Sequence, residues 1–291
     1  MRARIHRGAH EIGGNCIEIA QGDDRIVLDL GRPLSAGWDD DVPLPDIAGL
    51  ASPDPHMHGV VLSHPHLDHY GLAFQLGSGV PVYMGAEAAR VLAAASFFSP
   101  ISRSPAVTDH LEDRALLQLG PFTVTPFLAD HSAFDAYSLL VEAAGRRLFY
   151  TGDIRGHGRK AALFDRLVDK PPDADVLLME GTNVRATPAS THRQTETDVE
   201  NELVETLRST GGLVAVFSSA QNLDRLVTVY RAATTRWPDP GRRPVHGDGG
   251  RGHGALDDPS AGLRRSGRLR STAPAGPGGP DEGVPARGLS R

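Results

Sequence analysis

The sequence predicts a mixed α/β fold, and three observations carry that prediction. Short β-rich runs fill the first half of the chain. Beyond them, strand-like runs alternate with stretches of helical period. Apolar residues make up 40% of 291 residues, enough to build a core. That length allows one large domain or two small ones.

The elements follow in order. Asn15–Ala20 and Arg25–Leu30 are β-rich runs around Gln21-Gly22-Asp23-Asp24, a hairpin signal. His58–Leu62 is a third run, and it ends at Ser63-His64-Pro65-His66, where the proline forces a loop. Asp68–Leu76 reads as helical. Val80–Met84, Phe122–Phe127, Tyr137–Glu142 and Arg147–Tyr150 read as strands, the last two joined by the turn Ala143-Ala144-Gly145-Arg146. Asp175–Met179 has the pattern of a buried strand, and so does Leu213–Phe217. Between them Thr197 and Glu200 make a capping box for a helix closed by Gly211-Gly212. Gln221–Ala233 is helical, with Leu223, Leu226, Val227 and Tyr230 on one face.

Composition excludes several classes. No run of about 18 apolar residues exists, so a membrane span is not expected. The first ten residues are basic and polar, without the apolar segment of a secretory signal. A single cysteine, Cys16, excludes a disulfide framework and any multi-cysteine zinc site. A reducing cytoplasm is the default expectation.

The chemistry concentrates in His64-x-His66-x-Asp68-His69, directly after a strand. Imidazole and carboxylate are what zinc prefers when no thiolate is at hand. Alternation along an extended loop aims His64 and His66 the same way. Asp68 and His69 fall at the following turn, where they can face a neighbouring ion. Two metals sharing one hydroxide are the usual device for hydrolysing phosphate esters and amides. His131, after the strand ending near Leu128, and Asp153, after Arg147–Tyr150, are ordinary strand-end polar residues taken alone. Beside the cluster they become candidate ligands.

Three motifs, His64-Pro65-His66-Leu67-Asp68-His69, Asp130-His131-Ser132-Ala133 and Tyr150-Thr151-Gly152-Asp153-Ile154, resemble in this order those of the metallo-β-lactamase fold, over about residues 1–237. The resemblance implies a four-layer αββα sandwich with a dinuclear zinc site at one edge. His64, His66 and His131 would hold the first ion, Asp68 and His69 the second, and Asp153 would bridge. Asp68 would also orient the nucleophile or take its proton.

The stretch Leu177-Leu178-Met179-Glu180-Gly181-Thr182-Asn183 resembles the acidic motif of the β-CASP branch, whose members process nucleic acid. Gly8-Ala9-His10-Glu11-Ile12-Gly13-Gly14-Asn15 is similar to RNase J-type and mRNA 3′-end-processing relatives, and Phe217–Arg225 resembles the opening of the β-CASP insert. This branch implies nucleic acid as partner, RNA ahead of DNA though the sequence alone does not choose between them, and a role for Glu180 in orienting a distal histidine that protonates the leaving oxygen. On its own chemistry Glu180 is equally a capping or salt-bridging acid. Ser218, Ser219 and Asn222 at a helix start could hold a phosphate or simply cap the helix. A small-molecule metallohydrolase of thiolesterase type, or a non-catalytic remnant, stand as alternatives.

Charge does not advertise nucleic acid: residues 1–237 carry 21 basic and 30 acidic side chains, about −9. Binding needs a local basic groove, for which Arg103, Arg155, Arg159, Lys160, Arg185 and Arg193 are the candidates, although each reads more simply as a solvated surface charge. From Pro238 to Arg291 the 54 residues hold 13 Gly and 8 Pro and no aromatic residue, the composition of a disordered tail. Synonymous codons can be chosen so that the next reading frame from Pro238 is strand-like and then helix-like. A frame-shifted tail replacing the native C-terminal part is therefore expected. The branch draws a further ligand and the leaving-group histidine from that part, and His246 and His253 match no motif. The second metal site would lack a ligand, and the chain would be poorly stable and weakly active or inactive. The expected division is a metallo-β-lactamase domain at 1–183, the beginning of a β-CASP domain at 184–237 and a tail at 238–291.

Overall fold

A computed structural model of the chain describes residues 1–98, 103–182, 194–219 and 221–236. The expectations for Asn183, Arg185, Arg193, His246, His253 and the segment 238–291 lie outside the described residues.

Two sheets make the frame. The first runs β1(Arg2–Arg7)-β2(Cys16–Gln21)-β3(Asp24–Leu28)-β4(Met57–Val61)-β5(Val82–Gly85)-β6(Asp109–Leu111), antiparallel through β3 and parallel beyond it. The second is β11(Val176–Leu178)-β10(Arg146–Tyr150)-β9(Tyr137–Ala143)-β8(Phe122–Leu128)-β7(Leu117–Leu119), antiparallel except for the β10–β11 edge. Strand alternation explains how they face each other. Ile17, Ile19, Ile26, Leu28 and Val61 of the first sheet meet Phe122, Val124, Leu139, Val141 and Leu148 of the second in one apolar layer. Each such side chain stabilises the fold by roughly 1.5–3 kcal/mol when fully buried. The intervening residues Val27, Val60, Val82 and Met84 point outward, where Tyr70 of α1(Leu67–Tyr70) and Ala88 and Leu92 of α2(Ala86–Ala95) cover them. On the side of the second sheet, Arg166 of α3(Ala161–Asp169) pairs with Asp113. The helices α4(Glu196–Ser209) and α5(Leu223–Arg236) pack on each other through Val204, Leu207 and Ala232.

The hairpin expected at residues 143–146 is present. Glu142 pairs with Arg147, and Ala144 and Gly145 take the positive φ values, 48° and 70°, of a tight two-residue turn. Other expectations are corrected. The helix expected over Asp68–Leu76 is the short α1 followed by a 3₁₀ turn at Ala73–Gln75. The capping box is Thr195 with Asp198, two residues before the pair expected: Thr195 Oγ1 accepts from the Asp198 amide at 3.1 Å, and Asp198 accepts from the Thr195 amide at 2.8 Å. β11 is not buried; it is a sheet edge, with Leu177 58% exposed. Leu213–Phe217 forms no strand, and Leu213 and Phe217 are 95% and 94% exposed. Its apolar pattern suits a buried strand, but a strand needs a neighbour for its backbone groups, and among the described residues none pairs with it.

Candidate metal centre

Every sequence-selected donor sits just past the C-terminal end of a strand. His64 and His66 follow β4, Asp68 and His69 lie in α1, His131 follows β8 and Asp153 follows β10. Close backbone approach holds this rim together. Asn15 donates its amide to the Asp68 carbonyl at 2.9 Å, and Gly31 donates to the Asn15 carbonyl at 2.8 Å. A Cβ at Gly31 would lie 1.7 Å from the Asp68 oxygen, so only glycine fits there.

The donors form two groups. One is His64, His66, His131 and Asp153; the other is Asp68, His69 and Asp153. Within each, one donor atom per residue lies within 4.8 Å of the others. His131 Nε2 is 3.1 Å from His66 Nδ1, and His64 Nε2 and His131 Nε2 are each 3.9 Å from Asp153 Oδ2. These separations bracket the roughly 3.3 Å edge of a nitrogen tetrahedron around zinc. His64 Nε2 is buried and has no hydrogen-bond partner among the described residues. A buried imidazole nitrogen left unpaired is costly, and a cation would satisfy it. The residues therefore fit a divalent metal.

The electrostatics agree. Burial and the neighbouring imidazoles hold His64 well below its ordinary pKa. Burial lowers His66, and burial together with His66 brings His131 down to about 3. These rings are neutral near pH 7, with lone pairs free for a ligand. His69 differs. Burial disfavours its charge, but Asp29 and Asp153 outweigh that and raise it to about 10. Its Nδ1 donates to Asp29 at 2.7 Å, and its Nε2 lies 3.3 Å from Asp153 Oδ1 and 3.7 Å from Asp68 Oδ2. Against the cost of its own burial, His69 and His131 hold Asp153 below the usual carboxylate range.

A pH prediction follows. A cation that takes His69 Nε2 displaces a proton whenever the pH is below about 10. Cation affinity rises with pH through the neutral range, and titration calorimetry in buffers of different ionisation enthalpy reads proton release on binding. Buffer-independent heats would contradict this assignment of His69.

Asp29 is the residue the sequence reading missed. It is fully buried and accepts from the Ser63 amide (2.7 Å), Ser63 Oγ (2.8 Å), His69 Nδ1 (2.7 Å) and Tyr150 Oη (2.6 Å). Its φ of 57° turns the chain off β3 so that the carboxylate faces inward. Its signal is weak: an Asp two residues before Gly31 reads as an ordinary turn. Asn15, whose Nδ2 lies 2.8 Å from His69 Nε2, appeared only as part of a motif.

Glu180 lies beside the donor loop. Its Oε1 accepts from the Ile154 amide at 2.9 Å, one residue past Asp153. Asn222 Oδ1 accepts from the Arg225 amide at 3.0 Å, so it caps α5, while Ser218 and Ser219 are exposed just before it. Gln221 Nε2 donates to the Pro65 carbonyl at 3.0 Å and brings the start of α5 to the histidine loop. Three of the basic candidates are neither a groove nor a solvated face. Arg155, Arg159 and Lys160 are only 12%, 14% and 19% exposed and are committed to Asp224 and Glu200, which explains why they cannot line an open groove. Arg103 is exposed.

Comparison with known proteins places this geometry. A family model described as a beta-lactamase superfamily domain matches residues 41–218, more than half of the chain. The chain belongs to the beta-lactamase superfamily. Superfamily membership agrees with a donor set that fits a divalent metal. Within the superfamily, this member is 27% identical over 202 residues to a protein named Ribonuclease J from Sinorhizobium meliloti, a match covering 66% of this chain and 35% of that one. It is 25% identical over 240 residues to RNase aCSPSF2 of Saccharolobus solfataricus, covering 77% and 47%. The chain thus spans about a third to a half of these relatives. A crystal structure of a protein of unknown function from Enterococcus faecalis shares the fold, with a TM-score of 0.67 at 23% identity over 78% of this chain and 62% of that one.

Proposed function

We propose that this chain is a zinc-dependent hydrolase that cleaves phosphodiester bonds in RNA. The observation that carries the reading is the convergence of His64, His66, His131 and Asp153, from three separate strand ends, around the unpartnered His64 nitrogen. The RNA substrate is supported by similarity to proteins named as ribonucleases.

In this proposal His64, His66, His131 and Asp153 would hold one zinc, and Asp68, His69 and Asp153 would offer a second site that is one ligand short. Bound zinc supplies Lewis acidity, which offsets charge growing on phosphate oxygens and makes a water more acidic. Asp29 fixes the His69 ring and leaves its Nε2 facing the site. Glu180 fixes the Asp153 loop through the Ile154 amide. Asp68, partly exposed at the rim, orients the attacking water or takes its proton. Ser218 and Ser219 offer hydroxyls to a substrate phosphate near the start of α5, with Asn222 capping that helix. The domain division at 183 and 237 and a cytoplasmic location belong to the same proposal; among the described residues no helix is long and apolar enough to cross a membrane.

The test is direct. The purified chain is offered end-labelled RNA and, separately, a thiolester, with and without a chelator. Weak RNA cleavage that chelation abolishes and zinc restores is the expected result. Turnover of the thiolester alone would favour a small-molecule hydrolase.

A further inference from the structure

Beyond the donors, the structure holds a second buried polar cluster. Asp224, on the first turn of α5, is 5% exposed. Its carboxylate pairs closely with Arg155, accepts from the Arg159 amide at 3.0 Å and lies 3.5 Å from Lys160 Nζ. Its carbonyl takes Arg159 Nε at 3.3 Å. All three partners belong to the loop that follows Asp153. That loop wraps the chain around His131: Lys160 Nζ donates to the His131 carbonyl at 2.9 Å, and Arg155 donates its amide to the Asp130 carbonyl at 2.8 Å. The Asp130 carboxylate accepts from the Gly158 amide at 2.8 Å.

We propose that Asp224 is a positioning residue for the metal centre, holding the Arg155–Lys160 loop so that His131 and Asp153 keep their places. The proposal rests on the reading of those two as donors. Its physical basis is charge. Arg155 and Lys160 are cations at 12% and 19% exposure, and Asp224 is the carboxylate both share. Without its charge, Arg155 keeps only longer pairings, with Asp130 at 3.7 Å and Glu196 at 4.0 Å. A buried cation that loses its close carboxylate is costly to keep in place, and Lys160, whose carboxylate partner is Asp224, then leaves the His131 carbonyl. The loop, and the main chain it clamps, loosen. In this way the α4–α5 pair acts on donors it does not touch.

Asp224→Asn tests this in the full chain, with Leu207→Ala as the control. Leu207 packs the α4–α5 core and takes no part in the loop. Two readouts are needed. The first is amide hydrogen exchange of the metal-free protein over residues 129–137 and 153–160. The second is binding of cobalt, followed by its visible absorption. Asp224→Asn is expected to speed exchange in both segments, weaken cobalt binding by about 10-fold and shift its absorption band. Asp224→Glu is expected to restore part of both. Leu207→Ala is expected to lower the melting temperature while leaving both readouts as in the parent. Wild-type exchange and an unchanged spectrum in Asp224→Asn overturn the proposal, as does Leu207→Ala reproducing both changes. Faster exchange in Asp224→Asn from a parent that binds no cobalt supports the loop-holding role and overturns the donor reading instead.

Discussion

Asp29→Ala lowers the melting temperature of the metal-free protein by roughly 10 °C. The change removes a fully buried carboxylate that accepts four hydrogen bonds, from Ser63 twice, from His69 and from Tyr150. Losing one member of a buried charged pair costs about 3–5 kcal/mol, because the other is left unpaired. In a chain of this size each kcal/mol moves the midpoint by about 2–4 °C. His69 is the partner stranded here: its charge is favoured chiefly by Asp29. The loss has a second consequence, since His69 Nδ1 no longer fixes the ring. Cation affinity should fall by about 10- to 100-fold, the usual effect of removing such a support. Thermal unfolding followed by circular dichroism checks the first effect. An unchanged midpoint would show that the four hydrogen bonds contribute nothing to stability.

Asp153→Ala abolishes tight cation binding, and any hydrolysis falls by about 10³-fold or more, the scale set by losing a preorganised charge-stabilising group. Asp153 belongs to both donor groups. Its two oxygens face different histidines: Oδ1 is 3.3 Å from His69 Nε2, and Oδ2 is 3.9 Å from His64 and His131. Removing it leaves the first group with imidazoles alone and the second with Asp68 and His69. The side chain is partly exposed at the rim, so the fold should survive and the loss should appear in binding rather than in yield. Calorimetric zinc titration of parent and variant decides it, and equal affinities would remove Asp153 from the site.

Much of the donor set was legible because it is local. Four of the six residues lie within His64–His69, and Pro65 forces the loop that displays them. His131 and Asp153 were legible as residues placed just after strands. Asp29 was not, because its meaning comes from Ser63, His69 and Tyr150, the last 121 positions away. The capping box was misplaced by two residues because Thr195 with Asp198 and Thr197 with Glu200 both fit the pattern. What decides is Glu196, buried against Arg225 and Thr228 as the first residue of α4, which leaves Thr195 as its cap. Sequence shows the charge of Arg155, Arg159 and Lys160 but not its partner, so neither a phosphate groove nor a solvated face foretells that Asp224 and Glu200 hold them inside the fold. Leu213–Phe217 looked like a strand because its pattern is apolar, and pattern does not supply the neighbour that a strand pairs with.

The central claim is that His64, His66 and His131, brought together with Asp153, grip one cation. X-ray absorption at the zinc edge of the loaded protein tests it most directly. The account predicts a first shell of nitrogen and oxygen at about 2.0–2.1 Å, the outer-shell scattering of several imidazoles and no sulfur. The imidazole signature should disappear in Asp153→Ala along with the bound zinc. A shell of water oxygens alone, or a sulfur ligand from Cys16, would contradict it.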